Sequence, residues 1–436
     1  MREEKVWELT VIGGGASGMS AAISYQKCLS RNGEKKASVL ILEKNERVGK
    51  KVLATGNGRC NLSNRDMAME HFHSHQEEFP ERVLSLIPQK ETLAFLGELG
   101  ILTVNEGNKL FPMSKNAASV VDAFRFALET DQITVETSSV VEEVRRVDAV
   151  GQKKLFRLTL QDGTKIFSHA LIVACGGACA PSLGTTGDGY KILSSLGHKV
   201  YAPKPSIVQI TTDSAVPRAL SGMRMDCDLS LLCSGEVVAR QFGEVLFADY
   251  GLSGPAVFQV SGEVSRRIRK GKLSAPMQVS LCLFDDETCL TLKEELSSRR
   301  KTFSDRPLEQ LLLSVLPMKI GNMILKTALN RPLSLPISSL SDKDIDQIIY
   351  TMTHWVFPVS GTRSLEYAQT TIGGASCEEF SSETMESKLV PDLYACGEVL
   401  DVDGDCGGYN LQWAFSSGIL AGRSAAERFQ EDDDAN

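Results

Sequence analysis

Three glycine-rich segments carry residues whose types and spacing suit cofactor chemistry. The first, residues 13–18, reads Gly-Gly-Gly-Ala-Ser-Gly and fits the GxGxxG pattern. Its glycines permit a tight turn and the close approach of a pyrophosphate, and the following helix presents N–H groups and a positive dipole end to it. Glu43 lies 25 residues after Gly18, where an acid accepts hydrogen bonds from ribose hydroxyls. The pattern indicates a dinucleotide, and the acid favours the unphosphorylated ribose of FAD or NAD over NADP.

The second segment, residues 49–64, is too long and too polar for a core element. It combines permissive glycines with Thr55 and Asn61, which form hydrogen bonds, and with the cations Lys51 and Arg59. Such a loop can wrap a phosphate and the polar edge of a planar ring. A structured Ω-loop without a ligand is the alternative that composition leaves open.

The third segment, residues 397–414, predicts a strand, an acidic loop and a helix opened by Gly407 and Gly408. The N-terminus of such a helix suits a ring that carries developing negative charge, such as the edge of a reduced flavin. Asp401 is placed to hold a ribityl hydroxyl. Asp403 and Asp405 also permit a metal loop, but the glycine and glutamate positions do not match an EF-hand, so we predict no metal.

The surrounding elements must position these segments. Strand-like runs at 6–12 and 38–42 flank a helix at 16–31, for which Asn32-Gly33 is a suitable stop. Further strands are predicted at 133–136, 140–144, 156–160, 170–174 and 393–395, and a helix at 411–428. The pattern predicts one α/β domain assembled from distant pieces of the chain.

The intervening region has a different character. Short alternating runs within 200–283 predict a small β-barrel or β-sheet, and 286–350 predicts helices, among them 308–316 and 342–352. Ser341 and Asp344 have the spacing of a capping box for the second of these helices. A strand at 355–357 is predicted to return to the β domain. The acidic run at 431–434 is predicted to be a disordered end.

Composition restricts the classes of partner and location. The 436 residues are 42% hydrophobic, and 47 basic against 55 acidic residues give a net charge of −8, which does not favour nucleic acid. No apolar run is long enough for a membrane span, and the first strand begins too early for a signal peptide. Eleven cysteines without CxxC pairs indicate a reduced, cytoplasmic protein. A redox pair of Cys175 and Cys179 remains an open alternative.

With these three loops in this order, the chain resembles the two-dinucleotide-binding-domain flavoproteins. It is more closely similar to the bacterial family that includes aminoacetone oxidase-like FAD enzymes and the bile-acid-inducible 3-dehydro-bile-acid reductase. The matching stretches are 11–22, 49–64, 174–190, 243–257 and 384–422. Two departures are Ala-Cys-Gly-Gly at 174–177, where Thr-Gly-Gly is common, and Ala-Asp-Tyr at 248–250, where a Thr-His type is common. The second suggests a different substrate if that histidine takes part in the chemistry.

The resemblance implies an α/β fold: a three-layer, Rossmann-like FAD-binding domain with an inserted β-barrel-like domain and a small helical subdomain. It implies FAD-binding segments at 1–196 and 370–436, an inserted β domain at 197–284 and 353–369, and a helical subdomain at 285–352. The predicted cofactor contacts are Gly13, Gly15, Ala16, Ser17, Gly18, Glu43, Lys44, Arg47, Lys51, Gly58, Arg59, Cys60, Asn61, Val141, Gly176, Gly397, Glu398, Asp401, Gly408, Asn410, Leu411 and Gln412. Among these, Val141 is expected at the adenine, Asp401 at the ribityl-phosphate and residues 408–412 at the isoalloxazine.

We therefore expect an FAD-dependent oxidoreductase in which NADH or NADPH drives the reduction of an activated C=C bond, as in an enone such as a 3-oxo steroid or bile acid. Only one fingerprint is evident, so the nicotinamide donor is expected to bind transiently. Arg59, Tyr250 and Tyr409 are weak catalytic candidates, each with a structural role as its alternative. An FAD-dependent oxidase of a small amine and a flavin-bearing sensor without turnover are the other hypotheses. The expected partner is a small-molecule substrate, without nucleic acid or membrane, and the oligomeric state stays open.

Overall fold

The computed structural model describes residues 5–31, 37–148 and 154–434. The chain forms two compact units, one combining Met1–Pro205 with Leu365–Asn436 and the other comprising Ser206–Ser364. Each unit has its own buried hydrophobic core. The predicted boundaries lay at 196 and 370, and the division into three domains stays a prediction. The predicted helix stop Asn32-Gly33 lies outside the described residues.

The N-terminal segment alternates strands and helices. Its strands are β1 Val6–Ile12, β2 Val39–Leu42, β3 Ser63–Asn64, β4 Phe72–His73, β5 Thr103–Glu106, β6 Lys109–Pro112, β7 Ile133–Glu136, β8 Val141–Val147, β9 Leu155–Leu160, β10 Lys165–Val173 and β11 Val200–Ser206. Its helices are α1 Ala16–Arg31, α2 Lys50–Ala54, α3 Glu78–Leu86, α4 Gln89–Glu98, α5 Ala117–Leu128 and α6 Asp188–Ser195.

The second unit is built from a barrel and helices. Its strands are β12 Ile210–Thr212, β13 Arg224–Cys233, β14 Glu236–Ala248, β15 Gly251–Ser253, β16 Ile268–Arg269, β17 Lys272–Leu273, β18 Met277–Cys282 and β19 Trp355–Thr362. Its helices are α7 Ala215–Ala219, α8 Pro255–Arg266, α9 Asp286–Thr302, α10 Met318–Leu329 and α11 Asp342–Thr353. The chain then returns to the first unit through β20 Thr370–Ala375, β21 Leu393–Ala395, β22 Asp403–Gly404 and α12 Tyr409–Asp434.

The main sheet of the first unit follows the order β7-β2-β1-β10-β9-β8, and β21 also pairs with β10. The pairs among β7, β2, β1, β10 and β21 are parallel, whereas β10-β9 and β9-β8 are antiparallel. The apolar run of β2 is buried throughout, as a parallel strand covered on both faces requires. The sheet brings together the carboxyl ends of β1, β2, β10 and β21, where the glycine-rich segments begin.

Helices α1 and α12 pack closely beside this sheet. A Cβ placed on Gly418 would lie 2.3 Å from the carbonyl oxygen of Ser17, and one on Gly422 would lie 2.1 Å from that of Ala21. Any larger residue would push the helices apart, because real Cβ atoms do not approach backbone this closely. The two glycines therefore let the beginning of α1 pack closely against the central part of α12.

The second unit confirms the predicted barrel, which closes in the order β12-β15-β14-β13-β18-β19. Burial alternates along β19, and its inward residues Trp355 and Phe357 belong to the core of this unit. Helix α11 has the predicted capping box, in which Ser341 accepts from Asp344 N and the Asp344 side chain accepts from Ser341 N.

Two predictions of secondary structure are wrong. Residues 308–316 do not form an α-helix: a 3-10 turn covers Leu308–Gln310, and Ser314 has a φ of +69°. Pro317 disfavours helical backbone just before it, which shortens the segment. The acidic run at 431–434 is not a disordered end, because α12 continues through Asp434. Among the described residues, no helix has the length and apolar character that crossing a membrane requires.

Candidate cofactor site

The turn after β1 contains three glycines with different surroundings. Two pack tightly against backbone atoms, and the third faces open space. Gly13 has a φ of +110°, and a Cβ on it would lie 2.4 Å from the carbonyl oxygen of Ala174. A Cβ on Gly18 would lie 1.9 Å from the carbonyl oxygen of Gly13. By contrast, a Cβ on Gly15 would meet no atom of the described part of the chain within 4 Å. The open side at Gly15, at the beginning of α1, is the cradle that a pyrophosphate needs.

The helix beginning adds hydrogen-bond donors to this cradle. The first helical bond runs from Met19 N to Gly15 O over 3.0 Å, so the N–H groups of Ala16, Ser17 and Gly18 precede it. These residues include the predicted pyrophosphate contacts. Their arrangement suits an anion, because the helix dipole is positive at this end.

Glu43 is a buried carboxylate at the end of β2. Its Oε2 accepts from Gly14 N at 2.8 Å, and its Oε1 accepts from the backbone N of Asn45 at 2.8 Å and from its Nδ2 at 2.6 Å. Ser139 N donates to Glu43 O at 2.9 Å, so the start of β8, with the buried Val141, lies at the same end of the sheet. The structure therefore holds Glu43 beside the glycine turn, and its contact with a ribose stays a prediction.

Lys44 and Gly176 border the same region. Lys44 pairs with Asp188 at the start of α6 and donates to Thr186 Oγ1 at 2.6 Å. Burial raises the pKa of Asp188, but the hydrogen bonds from Lys44 and Thr186 outweigh it and leave that pKa lowered. Gly176 has a φ of +72° just after β10. Arg47 is exposed.

Lys51, Glu398 and Cys179 form a compact cluster. Lys51 Nζ lies 2.6 Å from Glu398 Oε2 and 3.1 Å from Cys179 Sγ, and Glu398 Oε1 accepts from Thr371 N at 2.8 Å. Burial lowers the pKa of Lys51, but the neighbouring carboxylate outweighs it, so that pKa is raised. Burial raises the pKa of Cys179 to about 11. Lys51 is therefore a cation and Cys179 a neutral thiol at neutral pH.

The second predicted loop contains short regular elements. Helix α2 occupies Lys50–Ala54, a 3-10 turn covers Thr55–Gly58, and β3 follows at Ser63–Asn64. Gly58 has a φ of +80°, which closes the turn. The positive φ values within 56–60 keep the helix from continuing.

Three predicted cofactor contacts follow one another at 59–61 and differ in their burial and partners. The Arg59 guanidinium stacks on Phe111 at 4.4 Å and pairs with Glu106 at 2.5 Å. Cys60 is buried, and burial raises the pKa of its thiol to about 11. Asn61 Oδ1 is buried and has no hydrogen-bond partner among the residues that the structure describes. An orphaned buried acceptor is costly in a folded protein, so this oxygen points to a missing donor.

The third loop lies against this orphaned oxygen. A Cβ on Gly408 would lie 2.4 Å from Ser63 O and 2.8 Å from Asn61 Oδ1, and Gly408 has a φ of +104°. The first helical bond of α12 runs from Gln412 N to Gly408 O at 3.0 Å, so earlier N–H groups of the helix precede it. The structure thus brings the segments 49–64 and 397–412 together around an acceptor and a helix N-terminus.

Several side chains of the third segment already have protein partners. Asn410 Nδ2 donates to Gly404 O at 2.7 Å, and Gln412 Nε2 donates to Thr92 Oγ1 and Ser416 Oγ, both at 2.9 Å. Gln412 is fully buried, whereas Leu411 is half-buried. The role of these side chains is to shape the loop and the helix, so any contact with a ring from Asn410 or Gln412 would come from the backbone.

Gly397 and Asp401 contact different parts of the chain. Gly397 N donates to Ser417 Oγ at 2.9 Å, and a Cβ on Gly397, whose φ is +77°, would lie 2.4 Å from Ser17 Oγ. Asp401 is buried, and its Oδ2 accepts from His75 N at 3.0 Å and bonds to His75 Nδ1 at 2.7 Å. Gly397 therefore joins the third segment to the start of α1.

The three catalytic candidates lie in different surroundings. Arg59 is bound to Glu106, as described above. Tyr409 is buried, with its ring stacked on His71 at 4.5 Å, and burial together with Asp66 and Asp405 raises its pKa. Tyr250 belongs to the second unit, where the Arg363 guanidinium lies 4.6 Å above its ring. The structure gives none of the three an established catalytic role.

Sequence reasoning missed a histidine cluster. Three of the six histidines of the chain lie within residues 71–75, a signal that was available from the sequence. His71 Nδ1 lies 2.9 Å from Asp405 Oδ2, and His73 Nε2 lies 2.8 Å from Asp405 Oδ1. His73 lies in β4 and His71 ends the 3-10 turn just before it, and from these positions both imidazoles reach one carboxylate.

Comparison with known proteins identifies the fold. Residues 7–424 match the family described as the HI0933-like protein Rossmann domain. The chain belongs to this family. This match confirms the predicted fold class and resemblance. The open turn at Gly15 and the orphaned Asn61 Oδ1 fit FAD, and the chain is an FAD-dependent oxidoreductase.

Relatives match almost the whole chain. The 3-dehydro-bile acid delta(4,6)-reductase of Clostridium scindens is 34% identical over 96% of this chain and 98% of its own length. The ribosomal RNA dihydrouridine synthase of Haemophilus influenzae is 29% identical over 97% and 99%. A solved 3-ketosteroid delta1-dehydrogenase from Sterolibacterium denitrificans covers 97% of this chain and all of its own, at 12% identity and a TM-score of 0.49, too distant to bear on function.

Proposed function

We propose that this HI0933-like oxidoreductase reduces a C=C bond conjugated with a carbonyl, with a 3-oxo steroid or bile acid as the first substrate class. The observation that carries the proposal is the 34% identity over 96% of the chain to a relative named as a 3-dehydro-bile acid reductase. A conjugated carbonyl is required because it accepts the electron pair that a hydride displaces from the double bond.

The residues of the chain would bind and orient FAD at the ends of the main sheet. The open turn at Gly15 and the N–H groups of α1 would hold the pyrophosphate, and Glu43 would hold the ribose. The orphaned Asn61 Oδ1 and the N-terminus of α12 would contact the ring. Reduced FAD supplies the hydride. NADH or NADPH is proposed as the transient donor.

A second candidate substrate is a uracil ring in RNA. Its C=C bond is also conjugated with a ring carbonyl, and two relatives are named ribosomal RNA dihydrouridine synthases. The net charge of −8 argued against RNA, yet the second unit is close to neutral, with 18 Lys and Arg against 17 Asp and Glu. Its β16–β17 hairpin exposes Arg269, Lys270 and Lys272, which suit a phosphate backbone.

The test measures which donors reduce the flavin and which acceptors reoxidise it. The purified protein is loaded with FAD and mixed without oxygen with NADH, NADPH or aminoacetone, and the loss of flavin absorbance is recorded. The reduced enzyme is then mixed with a 3-oxo steroid that has a conjugated double bond, its saturated analogue as the control, or unmodified ribosomal RNA.

We expect that NADH or NADPH rapidly reduces the flavin. We expect the unsaturated steroid, but not its saturated analogue, to reoxidise it. Reoxidation by RNA alone, with dihydrouridine in the product, would select the second candidate. Reduction by the amine alone would establish the oxidase hypothesis instead and overturn the proposal. A protein that takes up no FAD would contradict the cofactor assignment itself.

A further inference from the structure

The histidine cluster has the geometry of a proton-delivery group. Asp405 uses both carboxylate oxygens on imidazoles, with 2.9 Å to His71 Nδ1 and 2.8 Å to His73 Nε2. Because an ionised carboxylate only accepts hydrogen bonds, His71 must carry its proton on Nδ1 and His73 on Nε2. The opposite ring nitrogens are then the ones that gain and lose a proton.

The other ring nitrogens, His71 Nε2 and His73 Nδ1, differ in their accessibility to solvent. His71 Nε2 is buried and lies 3.4 Å from Asp66 Oδ2. His73 Nδ1 makes no hydrogen bond with any residue that the structure describes, and its side chain is 29% exposed. His73 is therefore the member of the cluster that a substrate or a water molecule can reach.

The cluster is continuous with the proposed ring end of the cofactor site. Strand β4, which contains His73, pairs with β22 through His73 and Asp403. Asn64 Nδ2 donates to Gly407 O at 2.9 Å, and Tyr409, the first residue of α12, stacks on His71. The same short loop thus carries Asp405 and leads into α12, which begins at Tyr409.

We propose that His73 donates the proton that completes the reduction, and that Asp405 and His71 position it. This inference rests on the proposed function. When bound and reduced, FAD would supply the hydride that the β-carbon of the substrate gains, as the C=C electron pair moves toward the carbonyl. The α-carbon then takes the proton from His73 Nδ1: a C–H bond forms, an N–H bond breaks, and water reprotonates the imidazole.

The groups that face the cluster are mostly acidic. Asp405 faces both rings, Asp66 faces His71, Asp403 lies opposite His73 in β22, and Glu70 and Tyr409 complete the surroundings. Burial lowers the pKa of His71, but hydrogen bonds to Asp405 and Asp66 outweigh it and raise that pKa.

The test separates flavin reduction from substrate reduction. His73→Gln, His71→Gln and Asp405→Asn are compared with wild type, with the exposed His354→Gln as the matched control. We expect His73→Gln to slow reoxidation of the reduced enzyme by substrate about 10²–10⁴-fold, while its reduction by the nicotinamide changes little. Wild-type reoxidation should slow as pH rises and in deuterated water, and Asp405→Asn should change this pH profile.

Each outcome decides a separate question. Unchanged reoxidation in His73→Gln overturns the inference while the proposed function stands. If wild-type reduced enzyme is reoxidised by neither steroid nor RNA, the proposed function fails, and the inference fails with it. If a variant does not fold or bind FAD, the wild-type measurements decide: a flat pH profile without a solvent isotope effect overturns the assignment.

Discussion

Lys51 Nζ lies 2.6 Å from Glu398 Oε2 although the two residues are 347 positions apart in the chain. The pair joins helix α2, in the second glycine-rich segment, to the loop that follows β21. Their side chains are 24% and 17% exposed, so both charges are partly withdrawn from water. Breaking such a pair leaves one charge without its partner, which costs more than an exposed pair is worth.

We predict that Lys51→Met and Glu398→Gln each lower the free energy of unfolding by about 1–3 kcal/mol, between the values for exposed and for buried pairs. The double variant should lose less than the sum of the single losses. Urea unfolding of the FAD-free protein measures the free energy of unfolding of each variant. Lys27→Met is the control, because the Lys27–Glu98 pair is more exposed, and should cost less than about 1 kcal/mol. Additive losses in the double variant would contradict the coupling.

We predict that Gly15→Ala leaves folding intact but weakens FAD binding about tenfold or more, a change of about 1.4 kcal/mol. Its Cβ would enter the open side of the turn, where no protein atom lies within 4 Å. FAD titration and thermal unfolding of the FAD-free protein measure the two effects.

Two other glycines serve as comparisons for this prediction. Gly97→Ala, in α4, also places its Cβ in open space and should not change FAD affinity. Gly18→Ala should lower stability, because its Cβ would lie 1.9 Å from Gly13 O. Unchanged FAD affinity in Gly15→Ala would show that the pyrophosphate does not lie at this turn.

We predict that the protein loses stability as pH falls, partly through His198. This buried ring bonds to Glu379 Oε2 through Nδ1 and to Ser387 Oγ through Nε2, both at 3.0 Å. Burial lowers the pKa of His198 more than Glu379 raises it. Between the two pKa values, His198 is protonated in the unfolded chain but not in the folded chain. The free energy of unfolding should therefore fall as the pH drops below about 6.5, until the pH reaches the lowered pKa of the folded state.

The measurement is the urea midpoint of unfolding at several pH values between neutral and acidic. His198→Gln should be less stable at neutral pH but should show a smaller loss on acidification than wild type. The exposed His354→Gln should keep the wild-type slope. An unchanged slope in His198→Gln would mean that other groups govern the acid response.

We predict that Cys175 and Cys179 do not act as a redox pair. Burial raises the pKa of Cys175 to about 12 and that of Cys179 to about 11, so both remain thiols at neutral pH. The thiolate is the reactive form, so alkylation should label both far more slowly in the native protein than in the urea-unfolded protein. Mass spectrometry of tryptic peptides checks this. A Cys175–Cys179 disulfide after mild oxidation would restore the redox hypothesis.

Much of the first unit could be predicted because its signals are local. The glycine turn, β1, α1 and the buried runs of β2 and β10 follow from steric and periodic rules that act over a few residues. The capping box of α11 is local too. The prediction of a helix at 308–316 was wrong. Its apolar pattern favoured a helix, but Pro317 and the positive φ of Ser314 are incompatible with continuous helical backbone.

The sequence by itself determined the family, the dinucleotide fingerprint and the order of the three glycine-rich segments, since each depends on adjacent residues. Only the tertiary structure decided which distant groups meet. Asp405 reaches His71 across 334 positions, and Gly408 approaches Asn61 from the other end of the chain. These contacts depend on the packing of α12 against α1 through Gly418 and Gly422, because hydrogen bonds and ion pairs act over a few ångströms of space and not along the sequence.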